Sequence, residues 1–348
     1  MNRIPPVLCI FHPGALGDGL LALKAVRVLK KQFSDHNLVW FGHKELGEVL
    51  VACQEVQQAY SFDDIHFLTS GNSVPFSEGL LSDVFDRCER AIGWMDDSDG
   101  SWKECLYSAG IETTIVRSPR DPTLHTYHMS DRYLETLTPW LIEKNSQGQF
   151  EKEFHEDAPL VFSSIGKSDT LDSYKGPLII LHPGSGSPYK CAPSRVLATL
   201  ANGLMAASGR SLCVVGGPAD HESVRQLQAA LRSIEIPVLQ DMDLLNMSRF
   251  IQQAHLFIGH DSGLSHLAAC LGISSLLLFG PTDPSRWAPR GKHVAVMRNI
   301  CHCQGEEAIR QCGDKPCFAF CLDDALMKAE NFLSGRQTLV CPVSSGDS

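Results

Sequence analysis

The amino-acid sequence predicts an α/β protein built of two doubly wound, parallel-sheet units in tandem. Three observations predict it. The chain has 348 residues, more than one hydrophobic core ordinarily organises, so two domains of roughly 150 residues each are expected. Short apolar runs alternate with stretches whose apolar residues recur every three or four positions, the pattern of strands alternating with amphipathic helices. Glycine-rich turns stand where several of those runs end, at the sheet edge where α/β proteins hold ligands.

The first unit opens on the apolar run Val7 to Phe11, then turns through glycines. Leu20, Leu21, Leu23, Val26, Val28 and Leu29 follow at helical spacing, with Lys24, Arg27, Lys30 and Lys31 on the other face. Leu38 to Phe41 is a second strand. Residues 61–149 predict short alternating strands and helices, including an amphipathic helix from Asp131 to Ile142. The polar stretch from Asn145 to Gly176 lacks periodicity and reads as the connection. Beyond it the alternation is plainer. Strands are expected at Leu178 to Leu181, Leu212 to Val215, Leu256 to Ile258 and Ser275 to Phe279. Helices are expected at Val196 to Ala206, Glu222 to Leu231, Leu244 to Ala254 and Leu264 to Leu271. A last amphipathic helix, Leu322 to Phe332, is expected to pack back across both halves. The expected division is therefore 1–165, 176–320 and a helix with tail, 321–348.

Composition narrows the function. Hydrophobic residues make up 43% and charged residues 20%, with a formal net charge of −10. An acidic chain lacks the basic field that displaces counterions from nucleic acid, so any anion must be held by a local set of donors. No run approaches the roughly 20 apolar residues of a membrane-spanning helix. The opening residues carry two prolines and no small-residue cleavage pattern, which predicts no secretion signal, a cytoplasmic protein and at most peripheral membrane contact. The 13 cysteines then read as reduced thiols.

Four loops could carry chemistry, each between a strand and a helix. In Gly14-Ala15-Leu16-Gly17-Asp18-Gly19, Asp18 falls at a helix start, where it either caps and complements the dipole or serves as a reactive carboxylate. His182-Pro183-Gly184-Ser185-Gly186-Ser187-Pro188-Tyr189-Lys190 is either a Gly/Ser surface turn or a phosphate cradle. In the cradle, amides, Ser185 and Ser187 donate and Lys190 adds charge. Gly216-Gly217-Pro218-Ala219-Asp220-His221-Glu222 offers carboxylates for ribose hydroxyls, or an acidic helix cap. In Gly259-His260-Asp261-Ser262-Gly263-Leu264-Ser265-His266, a helix beginning near Ser262 would aim its unpaired amides at a second phosphate oxygen. Asp261 and His266 would then position a sugar or the leaving group.

These loops resemble the heptosyltransferase family, enzymes that add ADP-activated heptose to the lipopolysaccharide inner core. Gly14 to Leu20 resembles the family's early G-x-x-G-D segment, His182-Pro183-Gly184 its H-P-G opening, and Gly216-Gly217-Pro218 its third loop. Asp261-Ser262-Gly263-Leu264-Ser265-His266, followed by Phe279-Gly280-Pro281-Thr282-Asp283-Pro284, resembles its most specific pair of motifs. The resemblance implies the GT-B fold, two Rossmann-like domains facing a cleft with the nucleotide-sugar bound mainly by the second. It implies inverting, metal-independent transfer to a lipopolysaccharide core or related glycan, with Asp18 as the general base and Gly17 and Gly19 beside it on the acceptor side. The donor would be held by Ser185, Gly186, Ser187, Lys190, Asp261, Ser262, Gly263, Leu264 and His266, with Asp220 or Glu222 on the ribose and Met242 against the adenine. Cys191-Ala192-Pro193 departs from the family's Trp-Pro pair, which leaves another nucleotide-sugar or a protein acceptor open. A nucleotide-binding module without turnover is the reading from a different class. Arg117, Arg120 and Lys103 could meet anionic acceptor groups or be solvated charges.

Cys301, Cys303, Cys312, Cys317 and Cys321 crowd one short stretch beside His302. Thiolates so placed could hold structural zinc or iron, although the spacing is not a standard zinc signature; reduced thiols in a loop are the other reading. No cofactor is expected to be needed for the chemistry.

Overall fold

A computed structural model describes residues 4–68, 81–142, 158–162, 176–207, 209–231 and 236–335. By their packing these residues fall into two units. The first comprises Met1–Lys167 with Met242–Arg249 and Asp283–Arg290; the second comprises Ser168–Asp241, Phe250–Thr282 and Gly291–Ser348. The expected connection at 145–176 lies outside the described residues, apart from 158–162 and Gly176.

The first unit runs β1 (Val7–Phe11), α1 (Leu16–Leu21), α2 (Leu23–Gln32), β2 (Asn37–Gly42), α3 (Lys44–Ala52), β3 (Gln58–Ser61), α4 (Ser82–Asp86), β4 (Cys88–Gly93), α5 (Ser101–Ser108), β5 (Thr113–Val116), α6 (Met129–Thr136) and α7 (Thr138–Ile142). Its five strands are all parallel, in the order β3-β2-β1-β4-β5. β1 is central and wholly buried, as its unbroken apolar run demands when helices cover both faces. The helix expected after β1 is two helices, broken at Ala22; the one expected from Asp131 to Ile142 is also two, α6 and α7.

The second unit runs β6 (Leu178–Leu181), α8 (Ser194–Met205), β7 (Ser211–Gly216), α9 (His221–Ala230), β8 (Val238–Gln240), α10 (Leu244–Ile251), β9 (Leu256–His260), α11 (Gly263–Cys270), β10 (Ser275–Leu278), α12 (Pro284–Trp287), β11 (Val294–Met297), α13 (Gly305–Gln311) and α14 (Leu322–Leu333). Of these, nearly all of α10, and all of α12, pack with the first unit. The causes are specific: His128 Nε2 donates to the Ala288 carbonyl at 2.9 Å and Arg290 meets Asp131 at 2.7 Å, while the Arg249 guanidinium lies 5.8 Å from the centre of the Phe162 ring.

The second sheet is also parallel, ordered β11-β10-β9-β6-β7-β8. The chain winds outward one way from β6 and then the other way from β9. The strand order therefore reverses between β6 and β9, and in the first unit between β1 and β4. Loops leaving the carboxyl ends of such strand pairs flank a crevice suited to ligands. The His182 and Asp261 loops follow β6 and β9, and the Asp18 loop follows β1.

α14 packs on α8, β9 and β10 of the second unit. Gly203 of α8 makes room for it: a Cβ there would stand 2.8 Å from Leu326 Cδ2. Arg210 clamps it by a bidentate pair to Glu330, 2.6 Å on each arm, the geometry guanidinium and carboxylate share.

Candidate functional site

In the second unit the carboxyl ends of β6 and β9 bring four of the singled-out side chains together. Lys190 Nζ lies 2.8 Å from Asp261 Oδ2, and Ser185 donates its hydroxyl to the Asp261 carbonyl at 2.7 Å. His266 Nε2 is 4.0 Å from the other Asp261 oxygen. Ser262 is the N-cap of α11, its hydroxyl accepting from the Ser265 amide at 3.3 Å. That leaves the amides of Gly263 and Leu264 in the first turn, which a helix cannot pair internally. A cation, a hydroxyl and a helix start at one sheet edge form an anion-binding arrangement.

Two histidines brace this edge from inside. His182 is buried, and its Nε2 must donate to Asp220 Oδ2, 3.0 Å away, because a carboxylate only accepts. Its Nδ1 is then the acceptor for the Ser262 hydroxyl at 3.2 Å. Asp220 Oδ2 also takes the Gly217 amide at 2.8 Å. Burial works to raise the Asp220 carboxyl, but the hydrogen bonds from His182 and the Gly217 amide outweigh it and hold the group below its usual range. His260 accepts the Ala192 amide on Nε2 at 2.9 Å and donates from Nδ1 to the Gly184 carbonyl at 3.3 Å. It thereby ties both ends of the Lys190 loop. Burial, then the neighbouring His182, pushes its pKa down to about 3, so it stays neutral. Sequence reasoning assigned neither histidine a role. The available signal was a histidine at the end of a buried strand, His260 as the last residue of β9 and His182 as the first after β6, where a ring faces the adjoining loop.

The remaining expected contacts are dispersed. Asp220 is turned inward by His182 rather than presented to a ribose. Glu222 is exposed on α9 and paired with Arg225 at 2.6 Å. Ser187 starts the turn Pro188–Lys190 without a side-chain cap, and Gly186 is exposed with open space around it. Met242 is half-buried and packs with the first unit.

In the first unit Asp18 lies in the first turn of α1, whose N-cap is Ala15. Arg120 Nη2 is 3.7 Å from its carboxylate, and that guanidinium lies 5.7 Å from the Trp287 ring centre. Gly17 is half-buried in the same turn, and Gly19 is needed for space, since a Cβ would meet Leu46 at 2.4 Å. Behind Asp18, His12 stacks on Trp40 and shares a 3.0 Å hydrogen bond with the Tyr133 hydroxyl. Burial lowers the His12 pKa to about 4. Burial, then the Asp18 charge, raises that of Tyr133. Arg117 is occupied by Asp121 at 2.8 Å.

The cysteine-rich stretch folds so that Cys303 neighbours Cys312 and Cys301, which with slight burial raises its thiol pKa to about 11. Cys317 is buried, while Cys321 is exposed at the N-cap of α14. Among the described residues no group of three or more His, Cys, Asp or Glu is placed to hold a metal ion. The five cysteines expected to hold zinc or iron form no such group.

No helix among the described residues is long and apolar enough to cross a membrane. The profile of glycosyltransferase family 9 (heptosyltransferase) matches residues 122–315, more than half of the chain. Lipopolysaccharide heptosyltransferase 1 of Escherichia coli K12 is 35% identical over 96 residues, 28% of this chain and 30% of that protein. The matched stretch thus spans under a third of that relative's length. Among solved structures, E. coli ADP-heptose lps heptosyltransferase II is 20% identical, with a TM-score of 0.68 over 95% of this chain and 100% of the other. E. coli heptosyltransferase WaaC with ADP is 17% identical, with a TM-score of 0.59 over 83% and 92%. The doubly wound pair of units is the GT-B fold, and with its profile match this chain belongs to glycosyltransferase family 9, the heptosyltransferases.

Proposed function

We propose that the protein is an inverting glycosyltransferase of the cytoplasm that moves a heptose from ADP-heptose to a lipopolysaccharide core or related glycan. The observation that carries this is the convergence of Lys190, Ser185 and the first turn of α11 around Asp261, at the strand-order reversal of the second unit. In this reading Lys190 and the Gly263 and Leu264 amides take the diphosphate, and Lys190 exchanges its Asp261 partner for a phosphate oxygen. Glu222 is the exposed carboxylate left for the ribose, Met242 would lie against the base, and Asp261 and His266 would face the sugar. Asp18 accepts the proton of the acceptor hydroxyl, whose oxygen forms the new bond to the anomeric carbon. The old bond from that carbon to the diphosphate breaks, and the electron pair leaves on ADP. Donors fixed in advance stabilise the charge that grows there, so no metal is needed for the step. Arg120, beside Asp18, is suited to an anionic group on the acceptor.

Lys190→Ala tests the donor half. It removes the cation and frees Asp261 to repel the diphosphate, so ADP affinity should fall about 10–100-fold, as for loss of a charge-assisted contact. Calorimetric titration with ADP reads it directly; unchanged affinity would refute the site.

One observation favours a second donor as the alternative. Ala192, buried and tied to His260, stands where the family has a bulky aromatic, so the pocket wall differs. A thermal-shift panel of ADP-, UDP- and GDP-sugars discriminates, because only a ligand that binds raises the melting temperature.

A further inference from the structure

We propose that Lys315 is a positioning residue for the nucleotide-diphosphate site, fixing the turn that carries Lys190. The inference rests on the reading of Lys190 given above. Lys315 Nζ donates to the Pro188 carbonyl at 2.9 Å and to the Cys191 carbonyl at 2.8 Å. Those two carbonyls bracket the turn Pro188–Lys190 on either side of Lys190. A lysine more than a hundred residues downstream thus holds both ends of a three-residue turn. The turn is also closed by the amides of Lys190 and Cys191, at 3.0 and 3.2 Å, and by the Cys191 thiol, which donates to the Ser187 carbonyl at 3.7 Å.

The backbone supplies a second, independent sign. Lys315 has φ +46°, in the left-handed region, which costs a non-glycine residue energy and is retained where surrounding structure fixes it. Here the following residues do so. Phe318 is buried, its ring standing where a Cβ on Gly280 would be 2.6 Å away and meeting His260 edge-on at 6.0 Å. Asn299 takes the Cys317 carbonyl on its amide at 2.8 Å and reaches the Pro316 carbonyl with its side chain at 3.3 Å. Glycine would sit at position 315 without strain. Lysine there directs an ammonium back onto the turn. Its charge also reaches His260 and Cys191, acting against protonation of the one and for ionisation of the other. Lys315 therefore serves two ends: it shapes the Lys190 turn, and it adds positive potential at an anion site in an acidic protein.

The test separates position from stability. Parent, Lys315→Met, Lys315→Gly and Lys190→Ala are titrated with whichever of ADP, UDP or GDP binds the parent most tightly, and their melting temperatures are measured. Lys315→Met removes the donors and keeps the length; its nucleotide affinity is expected to fall roughly tenfold. Lys315→Gly also releases the backbone strain, so it should lose the same affinity while melting no lower than Lys315→Met. A lysine with a merely structural part would lower the melting temperature and leave the affinity of the folded protein untouched. Parent-like affinity in both Lys315 variants, with Lys190→Ala impaired, overturns this inference alone. Parent-like affinity in Lys190→Ala, or no nucleotide bound by the parent, overturns the donor-site reading and this inference with it.

Discussion

Asparagine in place of Asp18 should lower turnover by about 10²–10⁴-fold, the range over which a positioned general base acts, while nucleotide affinity stays at the parent's level. The substitution keeps the side chain's size and removes its negative charge together with its ability to take a proton. Two further contributions of Asp18 are modest. The N-cap of α1 is Ala15, and the charge of Asp18 in the first turn of that helix is worth about 0.3–1 kcal/mol through the dipole. Its partner Arg120, at 3.7 Å, is 63% exposed, and such pairs contribute little to stability. The melting temperature should therefore move by a few degrees at most. The two readings of Asp18 available from sequence thus part cleanly. A base gives a dead enzyme of normal stability that still binds nucleotide, and a cap gives an active enzyme that melts slightly early. A parent that binds nucleotide and turns nothing over would instead bring forward the nucleotide-binding module without turnover.

How much could be read in advance depended on the range of the forces involved. Val7–Phe11 and Leu178–Leu181 are buried on both faces, so their apolar runs announced central strands, and the glycines after them announced the loops that carry Asp18 and Lys190. Short or edge strands such as Val238–Gln240, only half-buried, carry no such run and were not readable. The inward turn of Asp220 was equally hidden. A carboxylate after a glycine pair looks the same whether it faces a ribose or a histidine, and His182 lies 38 residues away. Met242–Arg249 and Asp283–Arg290 sit between elements of the second unit in sequence yet pack with the first. That choice rests on distant partners such as His128, Asp131 and Phe162, which no local pattern discloses. The cysteines show the converse failure. Their crowding in sequence suggested a shared ion, whereas among the described residues no group of three or more such side chains is placed to hold one.

Alanine in place of Gly184 should be severely damaging to the second unit. Its Cβ would stand 1.8 Å from Asp220 Oδ1 and 2.2 Å from the carboxyl carbon, distances no packed structure tolerates. Asp220 cannot swing aside freely, because His182 Nε2 and the Gly217 amide both hold its Oδ2. If the carboxylate is forced out, the buried His182 donor and the half-buried Gly217 amide lose their acceptor, at about 1–3 kcal/mol each. A loss of about 3 kcal/mol and a melting temperature lower by on the order of 10 °C follow. The damage should reach the ligand as well. His182 Nδ1 receives the hydroxyl of Ser262, the cap of α11, and the Gly184 carbonyl receives His260, so nucleotide affinity should drop by at least about tenfold, one step of 1.4 kcal/mol. The cause can be isolated by a double-mutant cycle. With Asp220→Gly already in place the obstructing carboxylate is gone, and Gly184→Ala should then cost almost nothing more. Acid supplies a second check with a definite sign. The folded Asp220 carboxyl lies below its ordinary value of 3.8, so its contribution is present above about pH 4 and fades as pH falls through the folded value. The stability gap between parent and Asp220→Gly should therefore narrow on acidification. A gap that widens, or a Gly184→Ala protein that melts and binds like the parent, would mean that the Asp220–His182–Ser262 chain does not support the phosphate site.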